Sequence, residues 1–267
     1  RYYSAFDDRI HEGISYNDYS LWDTFRAFHP LMTLLEPQLT GDWITSLLQM
    51  YKEGGWLPMW PNPTYTNIMI ATHADAVIAD AYMKGIRNFD VNLAYEAIRK
   101  DAMVPPDCDT NRKYGDRDYW TSYEGRAGAS YYHSIGYVPD DKTAESVSRT
   151  LEYAYDDWCV AQLAKKLGKN NDHERFMKRS AFYRNLFNPE TGFFQSKNDK
   201  GEWIEPFDPY KYGANGGYPF TEGNAWQYFW YVPQNIPDLI TLTGGNKAFT
   251  TKLDTFFTVC LLYTSDA

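Results

Sequence analysis

Apolar residues recur along this chain at close to the helical period, and the runs are punctuated by capping residues, glycines and prolines. "LWDTFRAFHPLMTLL" is apolar at Leu21, Phe25, Phe28, Leu31 and Leu35, which predicts a helix interrupted at Pro30. A second helix is predicted from Asp42, a candidate N-cap, to the stop at Gly54–Gly55. "NIMIATHADAVIADAYMKG" predicts a third from Asn67 to Gly85, with enough small residues to pack closely on most sides. A fourth follows Asp90, with Val91, Ala94, Ile98 and Ala102 on one face. The strongest pattern is 143–168, where Val147, Leu151, Ala154, Trp158, Ala161 and Leu167 share a face and Lys165–Lys166 precede Gly168. A helix over 172–187 completes the series. Only "TGFFQSKNDKGEWIEPF" alternates like strands, predicting a hairpin around Lys200–Gly201.

These elements read as an all-α fold, a toroid or bundle of helix pairs whose loops build the site, with a small β-hairpin insertion. The last eight residues, "CLLYTSDA", resemble a translated sequencing adapter. The expected organisation is therefore one domain over 1–259 and an artefact over 260–267.

Charge narrows the partners. Thirty-five acidic residues against 26 basic give a net charge of -9, which argues against a nucleic-acid partner. No apolar run reaches the ~18 residues of a membrane span. Cys108, Cys159 and Cys260 show neither a disulfide framework nor zinc spacing, and Cys159 reads as a small buried hydrophobe. Aromatic residues make up 18% of the chain, 23 Tyr, 15 Phe and 9 Trp. Such rings stack on the C–H faces of sugars, and they also fill large helical cores.

Candidate chemistry centres on "YPFTEGNAWQYFWYVPQN", where Glu222 precedes Trp226, Tyr228, Phe229, Trp230 and Tyr231. Glycoside cleavage needs a proton donor and a second carboxylate. The donor must stay protonated, which requires partial desolvation. Glu222 fits that role, with Asn224 and Gln227 as ligands for hydroxyls. The plainer reading has Thr221 capping a helix and Glu222 favouring its positive end. Trp22, Asp23 and Arg26 form either a sugar clamp or a local Asp23–Arg26 ion pair, the reading that spacing alone favours. Glu152 and Asp156, one turn apart, with Asp157 adjacent, could bind a cation or act in acid–base work, but read more readily as a solvated face or the lining of an acidic cleft. Asp107, Asp109 and Asn111 alternate as in a calcium loop, but Arg112 stands where glycine is needed and Asp118 where glutamate is, so the loop reads as a decoy. His29, His73, His133 and His173 are scattered, and His73 reads as a satisfied core residue.

Five stretches in order, "YSLWDTFRAFHPL", "GGWLPMW", "NIMIATHADAVIADAYMKGI", "GYVPDDKTAESVSRTLEYAYDDWCVAQLAKKLG" and "TEGNAWQYFWYVPQNIPDLITLTGG", resemble glycoside hydrolase family 92, the calcium-dependent exo-α-mannosidases. The resemblance implies an (α/α)₆ toroid preceded by an N-terminal β-sandwich domain. The sandwich does not occur in this sequence, so the expectation is an incomplete toroid. It implies removal of terminal α-linked mannose, most often α-1,2, with inversion and calcium assistance. It makes Glu222 the general acid and Trp22 and Asp23 contacts to the terminal mannose of a glycan substrate. In relatives the catalytic base and the remaining calcium ligands lie downstream, so the chain alone is expected to be inactive and its metal ligands are unassigned. Family members are often periplasmic or secreted. Two alternatives stay open: another (α/α)₆ glycosidase of the glucosidase or trehalase type, and a non-catalytic carbohydrate-binding module.

Overall fold

The computed structural model describes residues 1–109, 123, 125–213 and 218–259. Its elements are helical apart from two small antiparallel hairpins, β1 (Tyr2–Ser4) with β2 (Arg9–His11) and β3 (Phe187–Asn188) with β4 (Phe193–Phe194). The N-terminal hairpin had no signal in the hydrophobic pattern. Beyond β4 an antiparallel bridge joins Lys197 to Trp203 and brackets the expected turn at Lys200–Gly201.

The leading helical run is split into α1 (Leu21–Thr24) and α2 (Phe28–Leu35). The break falls at 25–27, not at Pro30. Pro30 occupies the first turn of α2, where a missing N–H has no intrahelical acceptor to lose. The restart shifts the helical frame. Leu21 and Phe25 are buried as expected, but Phe28, Leu31 and Leu35 are exposed, and His29 and Thr33 are buried in their place. Helix α3 (Pro37–Gly54) begins five residues before the expected Asp42, because Pro37 supplies the first-turn start.

The expected helix 67–85 is only α4 (Ala74–Met83). Met69 and Ala71 take left-handed backbone (φ 63° and 66°), which no α-helix accommodates. Helix α5 (Val91–Met103) starts as read, with the Asp90 carboxylate accepting from the N–H groups of Asn92 and Leu93. Helix α6 (Ala129–Ile135) has no counterpart among the helices the pattern predicts. Asp109, from the apparent calcium loop, accepts from the backbone N–H of Gly128 and Ser130 at 2.7 Å each and so ties down the start of α6. The calcium-loop positions Asn111, Arg112 and Asp118 lie outside the described residues, as do 260–267.

Helix α7 (Ser146–Lys166) is the axle. It packs on α4, α5 and α8 (Asn170–Arg179), and beyond α8 on a 3₁₀ turn, Phe182–Leu186. Its Cys159–Ala164 end joins the core of α3, α4 and α5. Its Val147, Leu151 and Ala154 join a second core with Phe194, Trp226, Phe229 and Val232. Tyr153 joins a third with Ile70 and Tyr132. Burial all round explains why its polar residues are not on a solvated face: Glu152, Asp156 and Asp157 are each 0% exposed. The described chain ends with α9 (Ala225–Tyr228), α10 (Ile236–Leu242) and α11 (Asn246–Thr258). Among the described residues no helix is long and apolar enough to cross a membrane.

Candidate active site

The segment 218–224 is tied to the start of α7. Backbone bonds run from Glu145 N–H to Tyr218 O, from Val147 and Ser148 N–H to Pro219 O, and from Thr221 N–H to Ser148 Oγ. An antiparallel bridge then joins Gly213 to Gly223. A Cβ at Gly213 would lie 1.9 Å from the Phe220 carbonyl oxygen, so only glycine permits this closure. Between these ties Glu222 sits at φ 44°, a left-handed conformation that costs a side-chain-bearing residue about 1–2 kcal/mol. Strain of this kind persists only where the surroundings impose it, and it collects at functional sites.

Glu222 lines a cavity of about 170 Å³ together with Trp22, Arg26, Thr221, Gly223, Gln227, Tyr228 and Tyr231. The chain thus brings the "LWD" and "EGNAWQY" words, some 200 residues apart, to one wall. Glu222 is itself exposed rather than partly desolvated as expected, because rings flank it on one side only and solvent reaches it from the other. Its carboxylate lies near Tyr212, whose phenol is pushed up by burial and then by that charge. Tyr231 offers a buried hydroxyl with no hydrogen-bond partner among the described residues.

The other expected site residues divide. Trp22, Arg26 and Gln227 are in the wall, whereas Asp23 is exposed and outside it. Arg26 does not pair with Asp23. It donates from Nε to the Trp22 carbonyl and its guanidinium lies 4.5 Å from the Trp22 ring centroid, 4.7 Å from Phe25 and 5.4 Å from Tyr231. Its charge points at buried Glu152, 3.8 Å away. Cation–π contact with three rings plus a desolvated anion outweighs a solvent-exposed i,i+3 pair. The helix cap is Asn224, not Thr221. Asn224 Oδ1 accepts from Gln227 N–H, and Gln227 Oε1 accepts from Asn224 N–H, which completes a capping box. Both side-chain oxygens are thereby committed to the backbone.

Behind the wall lies a cluster that spacing did not reveal. Glu152 accepts from Trp22 Nε1 (3.1 and 3.2 Å), His73 Nε2 (2.9 Å) and Tyr228 Oη (3.1 Å). His73, 1% exposed, also bonds Asp156 through Nδ1 at 2.9 Å and stacks on Phe25 at 3.8 Å. Burial alone would lower the imidazole, but the two carboxylates outweigh it and raise it to about 9, so His73 is a cation bridging two anions. His73 is therefore the satisfied core residue the sequence suggested. Asp156 continues the network to the N–H of Thr72. Asp157 accepts from Arg126 (2.6 Å) and Arg179 (2.6 Å). Cys159 is buried as expected, and burial pushes its thiol up.

A larger cavity of about 480 Å³ lies beyond Arg26 and Tyr231. Its walls are mainly apolar, and its carboxylate, Asp80, is bound to Lys84 at 2.7 Å. The chemistry therefore belongs to the smaller cavity. Calcium requires about six to eight oxygen ligands. Among the described residues no group of three or more His, Cys, Asp or Glu could hold a metal. Glu222 brings the smaller cavity its carboxylate, while Glu152 is already covered by donors. The described residues do not fit a calcium shell.

Known proteins confirm the relation that the two words suggest. The chain matches the glycosyl hydrolase family 92 catalytic domain over residues 1–265. It is 37% identical, with a TM-score of 0.84, to a family GH92 inverting mannosidase of Bacteroides thetaiotaomicron, covering 95% of this chain and 32% of that one. A GH92 α-mannosidase of the same organism, solved with mannoimidazole, is 38% identical with a TM-score of 0.83 over the same shares. An uncharacterized secreted glycosidase of Arthroderma benhamiae is 35% identical over 88% of this chain and 32% of that protein. The chain thus spans about a third of the length of these relatives. Its helices follow the α/α architecture of the family neighbours. The chain belongs to glycosyl hydrolase family 92 and carries sequence of its catalytic domain.

Proposed function

We propose that the protein of which this chain is part removes terminal α-linked mannose, α-1,2 in preference, with inversion, and that Glu222 gives the proton to the departing oxygen. The observation that carries this reading is the strained Glu222 backbone at a cavity walled by Trp22, Arg26, Tyr228 and Tyr231. The rings supply stacking faces, and Arg26, Gln227 and Tyr231 supply polar contacts for hydroxyls. The mannosidase names of the structural relatives support the choice of sugar.

Inversion also needs a base on the opposite sugar face, with the two carboxyl groups about 6.5–9.5 Å apart. Glu152 does not supply it. Its oxygens are buried and bonded to three donors, so no water reaches them. Asp23 lies outside the wall. We assign the donor and leave the base to residues other than these. Calcium assistance, which only the family resemblance implies, and export, which the secreted relative supports, belong to the same proposal. Chelation that abolishes turnover, with recovery on added calcium and not magnesium, supports the first.

The test is Glu222→Gln in the protein expressed from its complete gene, assayed on an α-1,2-mannobiose. The poor leaving group needs the proton, so kcat is expected to fall about 10²–10⁴-fold. Undiminished turnover refutes the assignment.

A further inference from the structure

Glu152 is placed where a support for the sugar wall is needed. It is 0% exposed, yet its three hydrogen-bond donors come from three separate parts of the chain: Trp22 of α1, His73 at the start of α4 and Tyr228 of α9. Arg26 faces the same carboxylate at 3.8 Å. Of these four groups, Trp22, Arg26 and Tyr228 line the Glu222 cavity. His73 does not, and it ties Glu152 back to Asp156 one turn further along α7.

A buried carboxylate with three charge-assisted bonds fixes its donors in direction as well as distance. The indole of Trp22 is half-buried and would otherwise turn about two side-chain torsions. Its N–H is shared between both oxygens of Glu152, which holds the ring plane. Arg26 then lies over that ring, with its charge drawn toward the same anion. The Tyr228 hydroxyl is bound from behind, so its ring edge is fixed on the side where Gln227 and Glu222 stand.

Resting on the reading of this cavity as the sugar site, we propose that Glu152 is its positioning residue, a buried anion that holds Trp22, Arg26 and Tyr228 in the geometry that binds the terminal mannose. It touches neither sugar nor water itself. Glu152→Gln keeps the shape but leaves one oxygen to accept where two did. With that oxygen serving Trp22 and His73, the amide nitrogen meets Tyr228 Oη and the attraction for Arg26 is lost.

The wall contacts the sugar before as well as during reaction, so the effect falls on KM. In the protein expressed from its complete gene, Glu152→Gln is expected to raise KM for α-1,2-mannobiose about tenfold with kcat within about threefold. Trp22→Phe keeps the ring and removes the N–H. Adding Glu152→Gln to it is expected to raise KM much less than in the native background. If Glu152→Gln does not fold, Tyr228→Phe takes its place, with a KM rise of about threefold. An unchanged KM in a folded variant, or full additivity with Trp22→Phe, overturns the proposal. If Glu222→Gln leaves turnover intact, the sugar-site reading fails instead. The support role is then read from the ¹⁵N–¹H indole resonance of Trp22, identified by its loss in Trp22→Phe. Movement of that resonance in Glu152→Gln sustains the role, and a fixed resonance overturns it.

Discussion

Glu222 and Glu152 stand on opposite sides of one wall of rings, and nearly everything about them differs. Glu222 lies on a loop, exposed, with its backbone forced to φ 44°. Glu152 lies in the middle of α7, fully buried, in relaxed helix, with donors on both oxygens. The first is open to solvent on one side and to the cavity on the other. The second is enclosed, its oxygens buried and bonded to Trp22, His73 and Tyr228. On the proposed reading, two residues of one type divide between reacting and holding still, and the division is made by packing and backbone rather than by residue identity.

That contrast is broken most severely at Glu152. Glu152→Ala leaves the His73 cation with one carboxylate and strips Trp22 and Tyr228 of an acceptor. We expect a loss of about 3–5 kcal/mol in urea unfolding, where Glu222→Gln changes stability by under about 0.5 kcal/mol. The next effect is the pH dependence of stability. His73 is raised from 6.5 to about 9, burial being outweighed by Asp156 and Glu152. Its stabilising charge is complete below 6.5 and is lost as pH rises through 9. The unfolding free energy is therefore expected to fall over that window, on the order of 3 kcal/mol, and the slope to flatten in His73→Gln. A smaller loss, about 1 kcal/mol, is expected for Asn224→Ala, which opens the capping box beside Glu222. The smallest effect has the opposite sign. Glu222→Gly relieves the left-handed strain and is expected to stabilise by about 0.5–1 kcal/mol while removing the proposed proton donor. A stabler, inactive Glu222→Gly sharpens the comparison, and a destabilised one denies that strain is stored there.

Much of this was readable beforehand where local rules decide. Asp90 caps α5 by its own side chain, and α7 was recognisable from its apolar face and its terminal lysines. The words containing Trp22 and Glu222 pointed to a shared site, and the fold brings them together. What escaped was decided at long range. Residues 67–73 read as helix because nothing in Met69 or Ala71 signals left-handed backbone. Thr72, within that turn, gives its N–H to Asp156, 84 residues away. Glu152 and Asp156 read as solvated because periodicity sees charge and not partners. Their partners, Trp22, His73 and Tyr228, come from other elements. Asp23 and Arg26 read as a pair because spacing allowed one. The aromatic face and buried anion that draw Arg26 away were not visible in three residues.

The central claim, proton donation by Glu222, is tested most directly by a series of aryl α-mannosides graded in leaving-group acidity. The account predicts that log kcat/KM of the native protein depends weakly on leaving-group pKa, and that Glu222→Gln makes the line steep, with near-native rates only for the most acidic phenols. Two parallel lines, with the same slope and a uniform offset, would contradict it.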